Sequence, residues 1–232
     1  MKKFERVLVV GASRGIGAAV AEHFGDRTEE LITVSRTPAS CGNWIEADIS
    51  TKAGVEIVSQ AIADSPLDAL LYMGGTWEKK AFTSQYSFVE CSDEDIERVI
   101  NVNLLAPIRL VKSLLPALRR SANPKIIFMG ALSGLDNFPA REVANTASKF
   151  GLRGAVHALR EELRPERIGV TIINPGNVGT PEVLEDLKQA GQPETNAIPL
   201  SDLLSVIDCV LSLSRCTCIK EIQIPAMSAM GA

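Results

Sequence analysis

The stretch Val7-Leu8-Val9-Val10-Gly11-Ala12-Ser13-Arg14-Gly15-Ile16-Gly17 joins a short apolar run to a glycine-rich turn, and a helix-like stretch from Ala18 to Phe24 follows it. Glycines at such a turn let the backbone come close to a pyrophosphate, whose negative charge the amide groups at a helix start favour. Glycine can also simply make a tight turn, so the spacing by itself is a weak signal. Its position after the first strand of an α/β chain favours dinucleotide binding.

Short β-rich runs alternate with helical segments along the whole chain. We predict strands at Val7–Val10, Leu31–Ser35, Trp44–Ala47, Leu67–Met73, Lys125–Met129, Gly169–Ile173 and Ile219–Ile224. Most of them are continuously apolar, as strands covered on both faces require. Long helices are predicted at about Asp93–Leu118, with Ser92 as N-cap, and at about Glu142–Leu163. The pattern predicts one doubly wound α/β (Rossmann) domain over residues 1–232, with a parallel seven-stranded sheet and helices on both faces.

Composition excludes several other classes of protein. Of 232 residues, 46% are hydrophobic and 22% are charged, which is typical of a globular domain. The net charge of −4 comes without a basic stripe, so we expect no nucleic-acid partner. No apolar run approaches the about 18–20 residues of a membrane span, and the first apolar run is too short for a signal peptide. We therefore expect a cytoplasmic protein. Its 5 cysteines lack metal-site spacing, so we expect no metal.

Six motifs in this order resemble those of the short-chain dehydrogenase/reductase family, in its short single-domain form. They are Gly11–Gly17 with the spacing G-x-x-x-G-x-G, Asp48-Ile49, Gly74-Gly75, Asn101-Val102-Asn103-Leu104, Ala147-Ser148-Lys149 and Pro175-Gly176-Asn177-Val178-Gly179-Thr180. The resemblance implies a nicotinamide dinucleotide cofactor. It places Asp48 and Ile49 at the adenine, Gly74 and Gly75 beside the adenosine, and Lys149 on a ribose.

The resulting candidate cofactor-binding residues come from these motifs and from the end of the second strand. They are Gly11, Ser13, Arg14, Gly15, Ile16, Gly17, Ser35, Arg36, Asp48, Ile49, Gly74, Gly75, Lys149, Pro175, Gly176, Val178 and Thr180. A carboxylate at the end of the second strand would repel a ribose 2′-phosphate. This strand ends in Val34-Ser35-Arg36 instead, and Arg36 and Arg14 supply positive charge. We therefore expect NADP(H) rather than NAD(H). The alternative is that both arginines are ordinary surface residues.

The resemblance also implies a catalytic set of Asn, Ser, Tyr and a Lys four residues after the Tyr. In this chain Asn103 and Lys149 match, but Asn145 stands at the Tyr position and Ala131 at the Ser position. An amide has no proton that ionises near neutral pH, so Asn145 can form hydrogen bonds but cannot donate the proton. Ser133 either substitutes for the missing Ser or is a turn residue. The candidate catalytic residues are Asn103, Ser133, Asn145 and Lys149.

Three functions remain open at this point. The chain is an oxidoreductase of a small carbonyl or alcohol with an impaired site, a silent NADP(H)-binding regulator or subunit, or a non-redox enzyme that uses Lys149 and Ser133. Tyr72 is a conceivable relocated acid.

We expect a homodimer or homotetramer built on the two long helices, with an active homologue as a possible partner. The polar segment 181–199 is either a substrate lid or a solvated connection. The segment Gly75–Phe82 either adds an aromatic wall to the substrate site or places Trp77 in packing or at an interface.

Overall fold

The structure, a computed structural model, describes residues 4–63 and 65–227. The predicted domain, residues 1–232, includes a few positions outside these ranges. The strands are β1 (Phe4–Val10), β2 (Thr28–Ser35), β3 (Asn43–Glu46), β4 (Ala69–Tyr72), β5 (Lys125–Met129), β6 (Gly169–Pro175) and β7 (Glu221–Ile224). The α-helices are α1 (Gly15–Gly25), α2 (Lys52–Ile62), α3 (Asp93–Ile100), α4 (Ala106–Arg120), α5 (Val143–Leu163), α6 (Pro181–Gln189) and α7 (Leu200–Ser212).

The strands form one sheet in the order β3-β2-β1-β4-β5-β6-β7, and every neighbouring pair is parallel. The predicted seven strands and their parallel arrangement are confirmed, with strand ends that differ by a few residues. Val10, at the end of β1, lies between Val34 of β2 and Tyr72 of β4. The strand order reverses between β1 and β4, which is where ligands bind in open parallel sheets.

Alternate residues of the central strands serve two separate cores. Leu8 and Val10 of β1 belong to a core that includes side chains of α2, α4 and α5. Val7 and Val9 belong to a second core, on the other face, that includes side chains of α1 and α7. Because both faces are covered by helices, these strands have to be apolar throughout, which explains why the sequence shows continuous apolar runs.

The first glycine turn, Gly11–Gly17, contacts the second glycine turn, Gly74-Gly75, at the carboxyl edge of the sheet. Gly11 has a φ of +86°, and a Cβ atom placed on it would lie 2.7 Å from the backbone of Gly74. A Cβ on Gly17 would lie 2.0 Å from the carbonyl oxygen of Gly11. Side chains at these positions are therefore excluded by the backbone itself.

The predicted helix over about Asp93–Leu118 is interrupted. It runs as α3, then as one π-helical turn over Asn101–Leu105, and then as α4. Ser92 caps its start, since the Ser92 side chain accepts a bond from the Asp95 amide at 3.3 Å. The wide π turn alters the direction of the side chains, and Asn103 is buried within it.

One helix among the described residues, Asp93–Arg120, is long and apolar enough to cross a membrane by length and composition alone. Its side chains Leu110, Leu114 and Leu118 are buried in the core beneath the sheet. Packing in the core therefore accounts for part of the apolar character of this helix.

The polar segment 181–199 is more ordered than a plain connection. It begins with α6, none of whose residues is buried, and ends with a short turn at Glu194–Asn196. Val178 and Ile198 form an isolated parallel bridge that closes the base of the segment. The exposed α6 therefore stands above the carboxyl edge on a fixed base, while its role as a substrate lid stays a prediction.

Replacing Gly17 with alanine tests the contact between α1 and the first turn. We expect Gly17→Ala to lower the free energy of unfolding by about 1–3 kcal/mol, because the new methyl group meets a backbone oxygen that cannot move aside. Gly25→Ala is the control, since a Cβ there has no atom within 4 Å. Equal free energies for the two variants in denaturant titrations without cofactor would contradict this packing.

Candidate active site

The start of α1 lies at the carboxyl edge of the sheet, beside the crevice where the strand order reverses. Arg14 precedes the helix without a side-chain cap, and the first turn of α1 contains no acidic residue. Gly15 has a φ of +57°, and a Cβ on it would meet only the methyl group of Thr180, at 3.9 Å. The start of α1 and the segment after β6 therefore lie side by side at this edge of the sheet, with the Thr180 methyl group at van der Waals distance from the Gly15 position. The helix start favours an anionic group such as a phosphate, because its first amides lack a side-chain cap and no acidic residue stands in its first turn.

The predicted adenosine position lies beside the second glycine turn. A Cβ on Gly74 would lie 3.3 Å from Cδ1 of Ile49, so the Ile49 side chain rests on this turn. Asp48 is exposed, and its carboxylate accepts a bond from the Ser50 amide at 3.0 Å. The structure thus brings Ile49 and Gly74 together, while Asp48 also shapes the turn before α2.

At the end of β2 the hydroxyl of Ser35 is fully engaged. It donates to the carbonyl of Thr37 at 2.6 Å and accepts from the indole Nε1 of Trp44 at 3.1 Å. Arg36 and Arg14 are exposed, and neither forms an ion pair with any residue in the described part of the chain. Both guanidinium groups therefore remain available to an anion, whereas Ser35 supports the turn.

The segment after β6 is fixed by its own bonds. The Thr180 hydroxyl accepts from the Val183 amide at 3.4 Å and so caps α6. Val178 is buried at the bridge to Ile198, and a Cβ on Gly176 would lie 3.2 Å from the Leu132 side chain. Pro175 is the buried last residue of β6. These residues form one wall of the crevice, and their contacts with a cofactor stay predictions.

The Asn103 side chain holds the loop after β4. Its Oδ1 accepts from the Thr76 amide at 2.9 Å, and its Nδ2 donates to the Thr76 carbonyl at 2.7 Å and to the Ser148 hydroxyl at 3.0 Å. Ser148 in turn donates to the carbonyl of Asn145 at 2.6 Å. Asn103 therefore links the π turn, the β4 loop and α5.

Lys149 is buried one helical turn beyond Asn145, and its Nζ donates to the carbonyl of Met129 at 2.9 Å. A Cβ on Gly75 would lie 3.7 Å from that Nζ, so the amine faces the second glycine turn. Desolvation by burial lowers the pKa of Lys149 to about 8, because a charged amine is disfavoured away from water. A hydroxyl-rich or anionic ligand beside it would favour the charged form.

Asn145 and Ser133 meet, as the sequence suggested they would if Ser133 substitutes for the missing serine. The Nδ2 of Asn145 lies 3.4 Å from the Oγ of Ser133, and both residues are buried. Ser133 lies in a short turn, Leu132–Gly134, where a Cβ on Gly134 would be 3.0 Å from the Lys149 backbone. The N–H and O–H groups of this pair can hold a carbonyl oxygen, but neither ionises near neutral pH.

Tyr72 is not a relocated acid. Its ring is fully buried against Phe128, and its hydroxyl donates to the carbonyl of Val102 at 2.5 Å. Burial raises the pKa of Tyr72 above its usual range. The hydroxyl is therefore part of the core and is unable to reach a ligand in the crevice.

Sequence reasoning missed a buried carboxylate at the start of α5. One oxygen of Glu78 accepts from the amides of Ala144 at 2.6 Å and Asn145 at 3.2 Å, while its other oxygen has no hydrogen-bond partner among the described residues. The hydroxyl of Tyr86 lies 3.5 Å from the same first oxygen and accepts from the Val143 amide at 3.0 Å. Glu78 thus supplies the cap that the residue before α5 lacks. No local pattern indicates this contact, because 66 positions separate Glu78 from Ala144.

Comparison with known proteins identifies relatives along most of the chain. The profile of the short chain dehydrogenase family matches residues 5–190. The 3-dehydrosphinganine reductase TSC10A of Arabidopsis thaliana is 29% identical over 211 residues, which cover 84% of this chain and 62% of the relative. This chain therefore spans less than two thirds of that relative's length. The 3-oxoacyl-(acyl-carrier-protein) reductase FabG of Aggregatibacter actinomycetemcomitans is 28% identical over 223 residues, covering 88% of this chain and 84% of the relative.

The fold also matches solved structures. The complex of RhlG from Pseudomonas aeruginosa with NADP superimposes with a TM-score of 0.77 over 97% of this chain and 96% of that one. The two sequences are 21% identical, so the match concerns the fold. It agrees with the doubly wound sheet and with a single domain.

The pH dependence of stability tests the burial of Lys149. Its folded pKa of about 8 lies below the unfolded value of about 10.4, so the folded state carries a penalty below about pH 8 that is relieved between about pH 8 and pH 10. In urea titrations the free energy of unfolding of the native protein should rise across this interval relative to that of Lys149→Met. Parallel pH profiles for the two proteins would show that Lys149 is solvated.

Proposed function

The chain belongs to the short-chain dehydrogenase/reductase family, and on that premise we propose that it is an NADP(H)-dependent oxidoreductase with an atypical site. Its proposed reaction interconverts a small carbonyl compound and the corresponding alcohol. The observation that carries this proposal is the glycine-rich, uncapped start of α1 beside Thr180, at the point where the strand order reverses. A helix start without a side-chain cap or an acidic residue favours an anionic group such as the pyrophosphate of a dinucleotide.

Chain residues have defined tasks in this reaction. Hydride transfer to or from the carbonyl carbon is the chemistry that a bound nicotinamide supplies. Ser133 and Asn145 hold the carbonyl oxygen by hydrogen bonds, and Lys149 holds ribose hydroxyls beside the second glycine turn. Asn103 fixes the loop that carries Thr76. No residue of the pair at the carbonyl oxygen ionises, so the oxygen takes its proton from water in the reduction and returns it to water in the oxidation.

The carbonyl class is supported by the names of relatives. One relative described above is named a 3-dehydrosphinganine reductase, and the other is named a 3-oxoacyl-(acyl-carrier-protein) reductase. This chain resembles both of them. We propose reduction of a ketone as the favoured direction. The exposed guanidinium groups of Arg14 and Arg36 favour the phosphorylated cofactor, and a structural neighbour was solved with NADP.

A second function is favoured by one observation, the amide at position 145. A chain that binds the dinucleotide but lacks a proton donor would serve as a silent NADP(H)-binding regulator or as a subunit beside an active homologue.

Self-association through α4 and α5 is also proposed, because Ile108, Val143 and Phe150 expose apolar side chains on these helices. Such a face would bury them in a dimer or tetramer.

Charge reversal at the end of β2 tests the choice of cofactor. We expect Arg36→Glu to weaken NADPH binding by about 10–100-fold, since a charged hydrogen bond to the 2′-phosphate is replaced by repulsion, while NADH binding stays within about twofold. Lys112→Glu, an exposed charge reversal on α4, should change neither affinity. Calorimetric titration measures both constants. Tighter binding of NADH than NADPH to the native protein would refute the choice.

Restoring the family's proton donor tests the reaction. We expect native protein to oxidise NADPH slowly across a panel of ketones, and Asn145→Tyr with Ala131→Ser to be faster by about 10²–10⁴-fold, the usual contribution of a general acid. The double variant Asn145→Gln with Ala131→Ser keeps an amide at position 145 and should gain little. Turnover that appears only with the tyrosine would favour the silent function. Native turnover as fast as the tyrosine variant would refute an atypical site.

A further inference from the structure

Two aromatic side chains stand exposed on the loop after β4. Trp77 is 51% exposed and Phe82 is 62% exposed. Their rings contact each other edge to face, with centroids 5.6 Å apart and an interplanar angle of 64°. We call these two residues the aromatic pair. An edge-to-face contact leaves the flat face of at least one ring uncovered, where a further ring can pack.

The backbone around the aromatic pair is tied at its first end to the active site. Thr76, next to Trp77, makes two backbone bonds with the side chain of Asn103, at 2.9 and 2.7 Å. The Trp77 carbonyl accepts from Arg98 at 2.9 Å. Trp77 follows Gly75 by two residues, and Gly75 faces the Lys149 amine. These bonds therefore fix the backbone of Trp77 close to that amine.

The second end of the loop is tied to the start of α5. Glu78 bonds to the amides of Ala144 and Asn145, and the Phe82 amide donates to the buried carboxylate of Glu142 at 2.9 Å. The loop consequently spans the distance between the π turn and the helix that carries Asn145. The Glu78 carboxylate and the Thr76 and Phe82 amides face the protein. The two rings are about half exposed to solvent.

This arrangement carries backbone strain. Lys80 has a φ of 59° and Phe82 a φ of 63°, in the left-handed region that bulky side chains rarely occupy. Strained backbone of this kind persists only where surrounding contacts hold it, and it is frequent at ligand sites. Here the Lys79 amide donates to the Asp95 carboxylate at 2.7 Å. This bond and the bonds to Glu142 and Asn103 hold the loop backbone in place. The result is a rigid loop that presents two rings and loses little entropy when a ligand packs on them.

From these observations we propose that the aromatic pair is the apolar wall of the substrate site and that the substrate is a ketone bearing an aromatic ring, or its alcohol. The inference rests on the proposed function, because it places the carbonyl of that ketone at Ser133 and Asn145. The continuity of the loop with Asn103 and Asn145 favours a small substrate over a second protein chain.

The two tryptophans of the chain allow each proposal to be tested separately. Trp44 bonds to Ser35 at the proposed ribose end, whereas Trp77 belongs to the aromatic pair. In Trp77→Phe all tryptophan fluorescence comes from Trp44, and NADPH should quench this fluorescence saturably. In Trp44→Phe with saturating NADPH, acetophenone should quench Trp77 saturably, and acetone, which lacks a ring, only in linear proportion to its concentration.

Alanine variants identify the residues responsible. In the Trp44→Phe background we expect Phe82→Ala to weaken acetophenone binding about tenfold, within the range known for aromatic pairs. Phe88→Ala removes an exposed ring of the same loop outside the pair and should change the affinity less than about twofold.

The outcomes separate the two proposals. Linear quenching of Trp77 by acetophenone, or equal affinities for Phe82→Ala and Phe88→Ala, would overturn the aromatic wall even if NADPH quenches Trp44. Saturable quenching by acetophenone without any by NADPH would support the wall and overturn the proposed cofactor. A smaller particle mass of Phe82→Ala in light scattering would show that the aromatic pair is a contact between copies of the chain, and would also overturn the wall.

Discussion

The rest of the site depends on a close contact between two backbone segments, which leaves no space for a side chain between them. Gly11 and Gly74 approach so closely that a single added carbon would overlap the opposite chain, and Gly17 stands equally close to the carbonyl of Gly11. This contact lies where the sheet reverses its strand order, and it brings the start of α1, the end of β4 and the segment after β6 to one edge. The crevice is therefore a consequence of missing side chains.

The two parts of the site are built differently for that reason. The candidate dinucleotide site is bordered by the glycines of both turns and by the start of α1, so it depends on the path of the chain. The centre beside it is made of side chains: Asn103, Asn145, Ser133 and Lys149 connect three elements by hydrogen bonds. Changing a side chain there alters proton transfer without altering the path of the backbone. A domain of this family is thus able to keep the backbone path at the candidate cofactor site while an amide side chain stands at position 145.

Buried charge is concentrated around that centre. Burial away from water lowers the pKa of Lys149, and Glu78 keeps one carboxylate oxygen without a partner among the described residues. A desolvated charge and an unpartnered carboxylate oxygen are both costly in a domain whose net stability is small. Glu78 compensates in part by capping α5, which fixes the backbone of Asn145. The same loop exposes Trp77 and Phe82, so one rigid segment joins the helix cap to the aromatic pair.

The sequence by itself determined the seven strands, the single doubly wound domain and the glycine turn, because continuous apolar runs and glycines report on burial and backbone geometry locally. It also identified Asn145 and Ala131 at the positions where the family resemblance implies Tyr and Ser. Only the tertiary structure decided that the long helix contains a π turn at Asn103, that Ser133 reaches Asn145, that Tyr72 is a core residue, and that Glu78 caps α5. Each of these depends on partners far apart in the chain, and local periodicity carries no information about which distant groups will meet.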